Sequence, residues 1–201
     1  MEDLTVDQAR KLLLDDDAAA VPADVEPGDT VDAVAEDEPG RSFDEGSVGL
    51  GVDIVEIERM DAILARTPSF AERVFSPDEC AYCRSKANPA THFALRFAAK
   101  EAVVKALGTG FSDGIGVRDI EVVRAKSGKP MVKLAGRALE IAQDQGVRDF
   151  PLSLSYTHTD AVACAMAVTE ASVQATEKRK DPTEELARQF KEVRGMLDDI
   201  Q

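Results

Sequence analysis

The chain is poor in cysteine, in basic charge and in long apolar runs, and each shortage removes a class of protein. Three cysteines, an odd number, with no secretory-type basic and apolar segment, predict a reducing, cytoplasmic setting and no disulfide scaffold. Cys80 and Cys83 form a single C-x-x-C, whereas a structural zinc site needs four ligands and no second such pair exists. Cys164 lies in an apolar run and reads as a small core residue. No apolar stretch reaches the roughly 20 residues of a membrane-spanning helix, so a soluble protein is expected. Lys and Arg number 24 against 38 Asp and Glu, a net charge of −14. Without a basic surplus to neutralise phosphates, a nucleic-acid partner is disfavoured.

The acidity is concentrated at one end. Residues 1–47 hold fifteen acids and three bases, while 48–170 hold sixteen and fifteen and 171–201 hold seven and six. Three parts follow: an acidic leader at 1–47, a central domain at 48–170, and a linker with an amphipathic helix at 171–201. From Asp15 to Ser47 there are few large apolar residues to offset the entropy of ordering, so the leader is expected to be mostly disordered. It contains one candidate helix, where Thr5 and Gln8 make a capping-box pattern ahead of Ala9, Leu12 and Leu13. A solvating linker is favoured over a docking or autoinhibitory role, and deletion of 1–46 is expected to leave stability nearly unchanged. In the tail, Leu186, Phe190, Val193, Leu197 and Ile200 follow the 4-3-4-3 spacing of a heptad seam. With about two heptads present, packing onto its own domain competes with a coiled coil.

Within the central domain, Asn88 is a good N-cap, Pro89 suits the first helical position and Gly108 is a natural left-handed stop, which predicts a helix over 89–107. Phe93, Phe97 and Val104 form its apolar stripe, with Glu101 on the margin. Glu101 and Lys105 are four apart and share a face; taken alone they read as an ordinary ion pair. Asp53, in Gly49-Leu50-Gly51-Val52-Asp53-Ile54-Val55-Glu56-Ile57-Glu58-Arg59, stands in a buried strand where aspartate is poorly suited, and a buried acid needs a partner or a metal. Asp53 and Glu101 together would supply two hard oxygen ligands, the pattern that holds magnesium while phosphates and water complete the octahedron. A third segment places His158 among hydroxyls in Ser155-Tyr156-Thr157-His158-Thr159, ahead of an apolar strand. By itself such a histidine reads as a satisfied polar residue.

The segments G-V-D-I-V-E-I-E-R, F-A-E-R-V-F-S-P-D-E, R-F-A-A-K-E-A-V-V-K-A-L-G-T-G, S-G-K-P and T-H-T, in this order and spacing across about 48–170, resemble the holo-acyl-carrier-protein synthase family. These small phosphopantetheinyl transferases move 4′-phosphopantetheine from coenzyme A to a serine of an acyl carrier protein in fatty acid biosynthesis. The resemblance implies magnesium on Asp53 and Glu101, with Lys105 on the coenzyme A diphosphate and His158 beside the same phosphates, joined by Thr157. Glu101, a water on the metal, or His158 could take the serine proton. Arg96 and Lys100 are candidate phosphate ligands, and the turn Gly128-Lys129-Pro130 would border the nucleotide. Arg59 and Arg66, seven apart and so on one helix face, would dock the acidic carrier. Trimers with active sites shared between subunits are also implied. A non-catalytic carrier-binding or coenzyme-binding module is the alternative, against which the joint presence of Asp53, Glu101, Lys105 and His158 counts.

The expected element order is a strand over 48–57, helices near 59–66, 76–84 and 89–107, strands near 117–124 and 131–135, a helix near 136–146, and strands near 152–157 and 161–169. That order is α+β, an antiparallel sheet packed on a long central helix in a 4′-phosphopantetheinyl transferase-like fold.

Overall fold

The computed structural model describes residues 4–14, 48–109 and 114–179. Its centre is one antiparallel sheet packed on one helix. β1 (Gly49–Glu56) pairs along its length with β6 (Asp160–Thr169), from Gly49 opposite Ala167 to Glu56 opposite Asp160. The other edge of β6 carries first β5 (Leu152–Tyr156) and then β4 (Val147–Asp149). Side chains alternate between faces along β1, so Gly51, Asp53 and Val55 point inward while Leu50, Val52 and Ile54 are exposed. On β6 the inward set is Ala161, Ala163, Ala165 and Ala167, all fully buried.

Onto this inner face packs α5 (Pro89–Leu107). The Asn88 side chain accepts a hydrogen bond from the Thr91 amide, and Gly108 ends the helix at φ 68°, as the capping residues predict. Burial differs from the expected single stripe. Sixteen of its 19 residues are buried, because β1 and β6, α2 (Ile57–Arg66) and α4 (Pro77–Arg84) surround it. Glu101 therefore lies in the interior, not on a margin. Ala98, Ala102 and Ala106 on α5 meet the alanine face of the sheet, and the two backbones come so close that only glycine fits at position 51. A Cβ there would overlap the Ala102 carbonyl oxygen and lie 2.6 Å from the Ala106 nitrogen and 2.9 Å from Lys105 Cβ.

Larger side chains fill the periphery. Phe70 of α3 (Ser69–Val74), Phe75, Phe93 and Phe97 interlock at ring-centroid distances of 4.9 to 6.4 Å. Each fully buried phenylalanine contributes about 1.5–3 kcal/mol. α4 starts with a full capping box between Ser76 and Glu79. A hairpin of β2 (Ile120–Arg124) and β3 (Pro130–Leu134) is closed by the Ser127-Gly128-Lys129 turn. The strand expected from 117 begins only at 120, because the Asp119 carboxylate accepts from the Gly116 and Arg137 amides and tightens 117–119 into a 3₁₀ turn. α6 (Gly136–Asp144) leads back to the sheet, and α7 (Glu170–Arg179) follows β6.

The capping-box helix expected within the leader is present, and it is docked where a solvating segment was favoured. Residues Val6–Leu14 form α1, opened by the Thr5 and Gln8 capping box with bonds of 3.0 and 3.2 Å. This helix is docked: Leu4, Val6, Ala9 and Leu13 are buried in the common core. The Val117 amide donates to the Leu4 carbonyl at 2.8 Å, and the Val6 amide to the Ile115 carbonyl at 3.2 Å. Residues 15–47 and the heptad seam from 186 to 200 lie outside the described residues. Cys80 and Cys83 are buried free thiols, and burial pushes the Cys83 thiol up to about 12. Cys164 is half-exposed on the outward face of β6 opposite Val52, so it is not a core residue. Among the described residues, no helix is long and apolar enough to cross a membrane.

Candidate active site

Asp53, on the inward side of β1, and Glu101, on the face of α5 toward it, are both buried, Glu101 completely. Removal from water, and after it the nearby Asp53 charge, draws the Glu101 pKa up to about 7 against the pull of Arg10 and Lys105. Lys105 does not close the expected pair with Glu101. Its ammonium reaches across to Asp53 Oδ1 at 2.8 Å and to the Val52 carbonyl at 2.9 Å. Glu101 is met instead by Arg10 of α1, whose Nη1 lies 2.8 Å from Glu101 Oε2 and 4.0 Å from Asp53 Oδ1. Among the described residues, the second carboxylate oxygen, Glu101 Oε1, is buried with no hydrogen-bond partner.

An orphaned buried carboxylate oxygen beside a second acid fits a hard divalent cation. Among the described residues, no group of three or more His, Cys, Asp or Glu comes together. A cation held here would therefore have two protein carboxylates as ligands and leave positions for water and phosphate, as magnesium does.

A second concentration of function lies toward the N-terminal end of α5. A cleft of about 300 Å³ is lined by Arg96 and His92 of α5, Tyr82, Arg124, Gly128, Pro130 and the strand β5. Arg96 is buried over the Tyr82 ring at 4.1 Å, donates to the His92 carbonyl at 3.3 Å, and among the described residues its Nε has no hydrogen-bond partner. Arg124 bonds the Gly128 carbonyl and the Tyr82 hydroxyl, which fixes the turn on which Lys129 is exposed. Burial, and then the neighbouring Arg96 charge, lower the His92 pKa, so the site favours anions over a further cation. The structure thus brings Arg96, Gly128 and Pro130 together, with Lys129 beside them. Tyr82, His92 and Arg124 were missed; they come from α4, α5 and β2, and no local sequence signal joins them.

Lys100 is elsewhere, and its expected phosphate role is corrected. Fully buried on another face of α5, its ammonium pairs with Glu79 at 3.0 Å and donates to the Val117 and Ile120 carbonyls. It joins α4, α5 and the start of β2. Burial lowers its pKa. His158 and Thr157 lie in the turn between β5 and β6, tied to the start of α2 by the Ile57 amide donating to the Thr159 carbonyl at 2.7 Å. The turn is held by the Thr157 hydroxyl, which accepts from the Thr159 and Asp160 amides, and His158 is exposed on it. The strand register sets this turn just past Glu56, three residues beyond Asp53. On α2, Arg59 is 3.7 Å from Glu56, and Arg66 is exposed one heptad on.

Comparison with known proteins gives this arrangement a family. A holo-[acyl-carrier-protein] synthase of Geobacter sp. (strain M21) is 49% identical over 123 residues, covering 61% of this chain and 97% of that protein. The crystal structure of holo-[acyl-carrier-protein] synthase from Neisseria meningitidis superposes with a TM-score of 0.56 at 30% identity, covering 60% of this chain and 98% of the other. The Helicobacter pylori synthase, solved in complex with coenzyme A, gives 0.51 at 29% identity, covering 58% and 96%. Residues 49–165, the stretch that a family model matches, hold Asp53, Glu101, Lys105 and the cleft, while α1 precedes them. A family model described as the 4′-phosphopantetheinyl transferase superfamily matches residues 49–165, and the chain belongs to that superfamily.

Proposed function

We propose that this protein is a holo-acyl-carrier-protein synthase: it transfers 4′-phosphopantetheine from coenzyme A to a serine of an acyl carrier protein and releases 3′,5′-adenosine bisphosphate. The observation that carries this reading is the buried pair Asp53 and Glu101, with an orphaned oxygen and the Lys105 ammonium at its edge, inside a domain that spans nearly the whole length of the curated synthases. In the reaction the serine oxygen attacks the phosphorus on the pantetheine side. The bond from that phosphorus to the bridging oxygen breaks, and the departing bisphosphate takes the electron pair while the serine proton is lost.

Asp53 and Glu101 would hold magnesium, which when bound supplies positive charge to the diphosphate as the leaving group forms. Lys105, already anchored to Asp53, adds a second charge at the same place. His158 is assigned to the phosphates, supported by its exposure on the turn beyond the end of β1. The cleft of Arg96, Arg124 and the Gly128-Lys129-Pro130 turn would take the nucleotide end, because two guanidinium groups and an ammonium suit its phosphates. Arg59 and Arg66 on α2 would dock the acidic carrier.

Arg96 and Glu101 are five residues apart, so they face directions about 140° apart around α5. That separation supports a site shared between subunits, one offering the acid pair and a neighbour the cleft. A homotrimer is further supported by the open face of the sheet, where Leu50, Val52, Ile54 and Met166 are exposed side by side. The test is mass spectrometry of an apo carrier incubated with coenzyme A, magnesium and the protein. The carrier should gain one phosphopantetheine, and Asp53→Ala should not deliver it. An unmodified carrier, with several carriers tried, would instead favour the binding-module alternative.

A further inference from the structure

We propose that α1 is a built-in strap that competes with the divalent cation, its Arg10 guanidinium occupying the seat between Asp53 and Glu101. The inference rests on the reading that these two acids are the metal pair. Three observations support it. Arg10 makes a 2.8 Å ion pair to Glu101 and lies 4.0 Å from Asp53, so one protein cation faces both carboxylates. The space left beside them, lined also by Leu13, Leu14 and Arg59, is about 30 Å³. That is room for one or two waters and not for a diphosphate. Finally, α1 precedes the region matched by the superfamily, so it is an addition to the catalytic domain.

The device is reversible by its construction. α1 has nine residues, fewer than the ~12–15 at which an isolated helix becomes even marginally stable in water, so its helicity depends on its seat. Its anchors are Leu4, Val6, Ala9 and Leu13, two short backbone contacts to 115–117, and Arg10. Arg10 is the polar anchor that a divalent cation displaces by taking the same carboxylates. Closed, the strap pairs one Glu101 oxygen, Oε2, with a guanidinium; open, it gives the acid pair to the metal and uncovers space for the phosphates. Because α1 belongs to the same chain, dilution does not release it; cation concentration does.

Two measurements on the full chain test this, neither of them enzymatic turnover. Manganese binding, followed by electron paramagnetic resonance, should be tighter in Arg10→Ala than in the parent by about tenfold to a hundredfold, the worth of one charge-assisted hydrogen bond. Hydrogen exchange of the 6–14 amides in the unmodified chain should accelerate when manganese is added. Equal manganese affinity in the parent and Arg10→Ala, with binding abolished in Asp53→Asn, would overturn the strap and leave the metal pair standing. Protection of 6–14 unchanged or increased by manganese would overturn it equally. Absence of manganese binding in both the parent and Arg10→Ala would overturn the metal pair and the strap together.

Discussion

Replacing Gly51 by alanine tests the packing that sets the acid pair. A Cβ at this position has no open direction: the Ala102 carbonyl, the Ala106 nitrogen at 2.6 Å and Lys105 Cβ at 2.9 Å close it off, and two of these belong to helix backbone that cannot rotate away. Relief to ordinary contact at the Ala102 carbonyl requires β1 and α5 to part by about 1.5 Å, and overpacking of this kind costs about 1–3 kcal/mol. At about 3–5 °C per kcal/mol for a domain of this size, Gly51→Ala should melt about 3–15 °C below the parent. The displacement also carries Asp53, two residues along the strand, away from Glu101 on the helix. A misplacement of about 1 Å near reacting groups lowers rates by about a hundredfold, so turnover should fall well beyond what lost stability explains at temperatures where the variant is folded. Differential scanning calorimetry paired with the carrier-modification rate measures both. A melting midpoint within about 2 °C of the parent and an unchanged rate would show that strand and helix are not in backbone contact at this point.

Lys100→Met should lower stability by about 3–5 kcal/mol in urea unfolding, because it strands the buried Glu79 carboxylate, while manganese affinity is retained; unchanged stability with a raised KM for coenzyme A would restore the phosphate role. In metal-free protein, Glu101 has its pKa raised from 4.5 to about 7, so its proton favours the folded state below pH 4.5 and that contribution is lost as pH rises through 7. The parent should match Glu101→Gln near pH 4 and fall below it by up to about 3 kcal/mol at pH 8; parallel pH curves for the two proteins in EDTA would contradict the buried acid. Leu50→Asp combined with Ile54→Asp places charge on the open sheet face, and light scattering should then find monomers while the parent should be found as the proposed trimer; a parent already monomeric at assay concentrations would remove the shared-site reading.

The parts of the fold legible in the sequence were those governed by neighbours in the chain. Asn88, Pro89 and Gly108 fixed both ends of α5 because caps act within four residues. Thr5 with Gln8, and the strand alternation around Asp53, were readable for the same reason. What escaped depends on partners far along the chain. A stripe drawn on α5 assumes one wet face, and nothing local reveals that sheet and helices cover all of them. Lys100 reads as a free cation until Glu79 is folded beneath it, and Arg10 reads as a solvated charge until its helix crosses to a carboxylate 91 positions away. The cleft drew Tyr82, His92 and Arg124 from separate elements, which no single window of sequence unites.

The alanine-lined junction between α5 and the sheet has a consequence for how such an enzyme can diversify. Glu101 is mounted on a helix enclosed on nearly every side, opposite a strand that tolerates no added carbon at Gly51. A close-packed interior of this kind admits few substitutions that re-aim a side chain without rebuilding its neighbours. Inherited variation in partner choice or control is thereby channelled to the exposed periphery: the hairpin turn at Gly128, the outer face of α2, and segments added ahead of β1. New properties in this lineage would accumulate as accessories around a frozen centre, and α1 has the form of one.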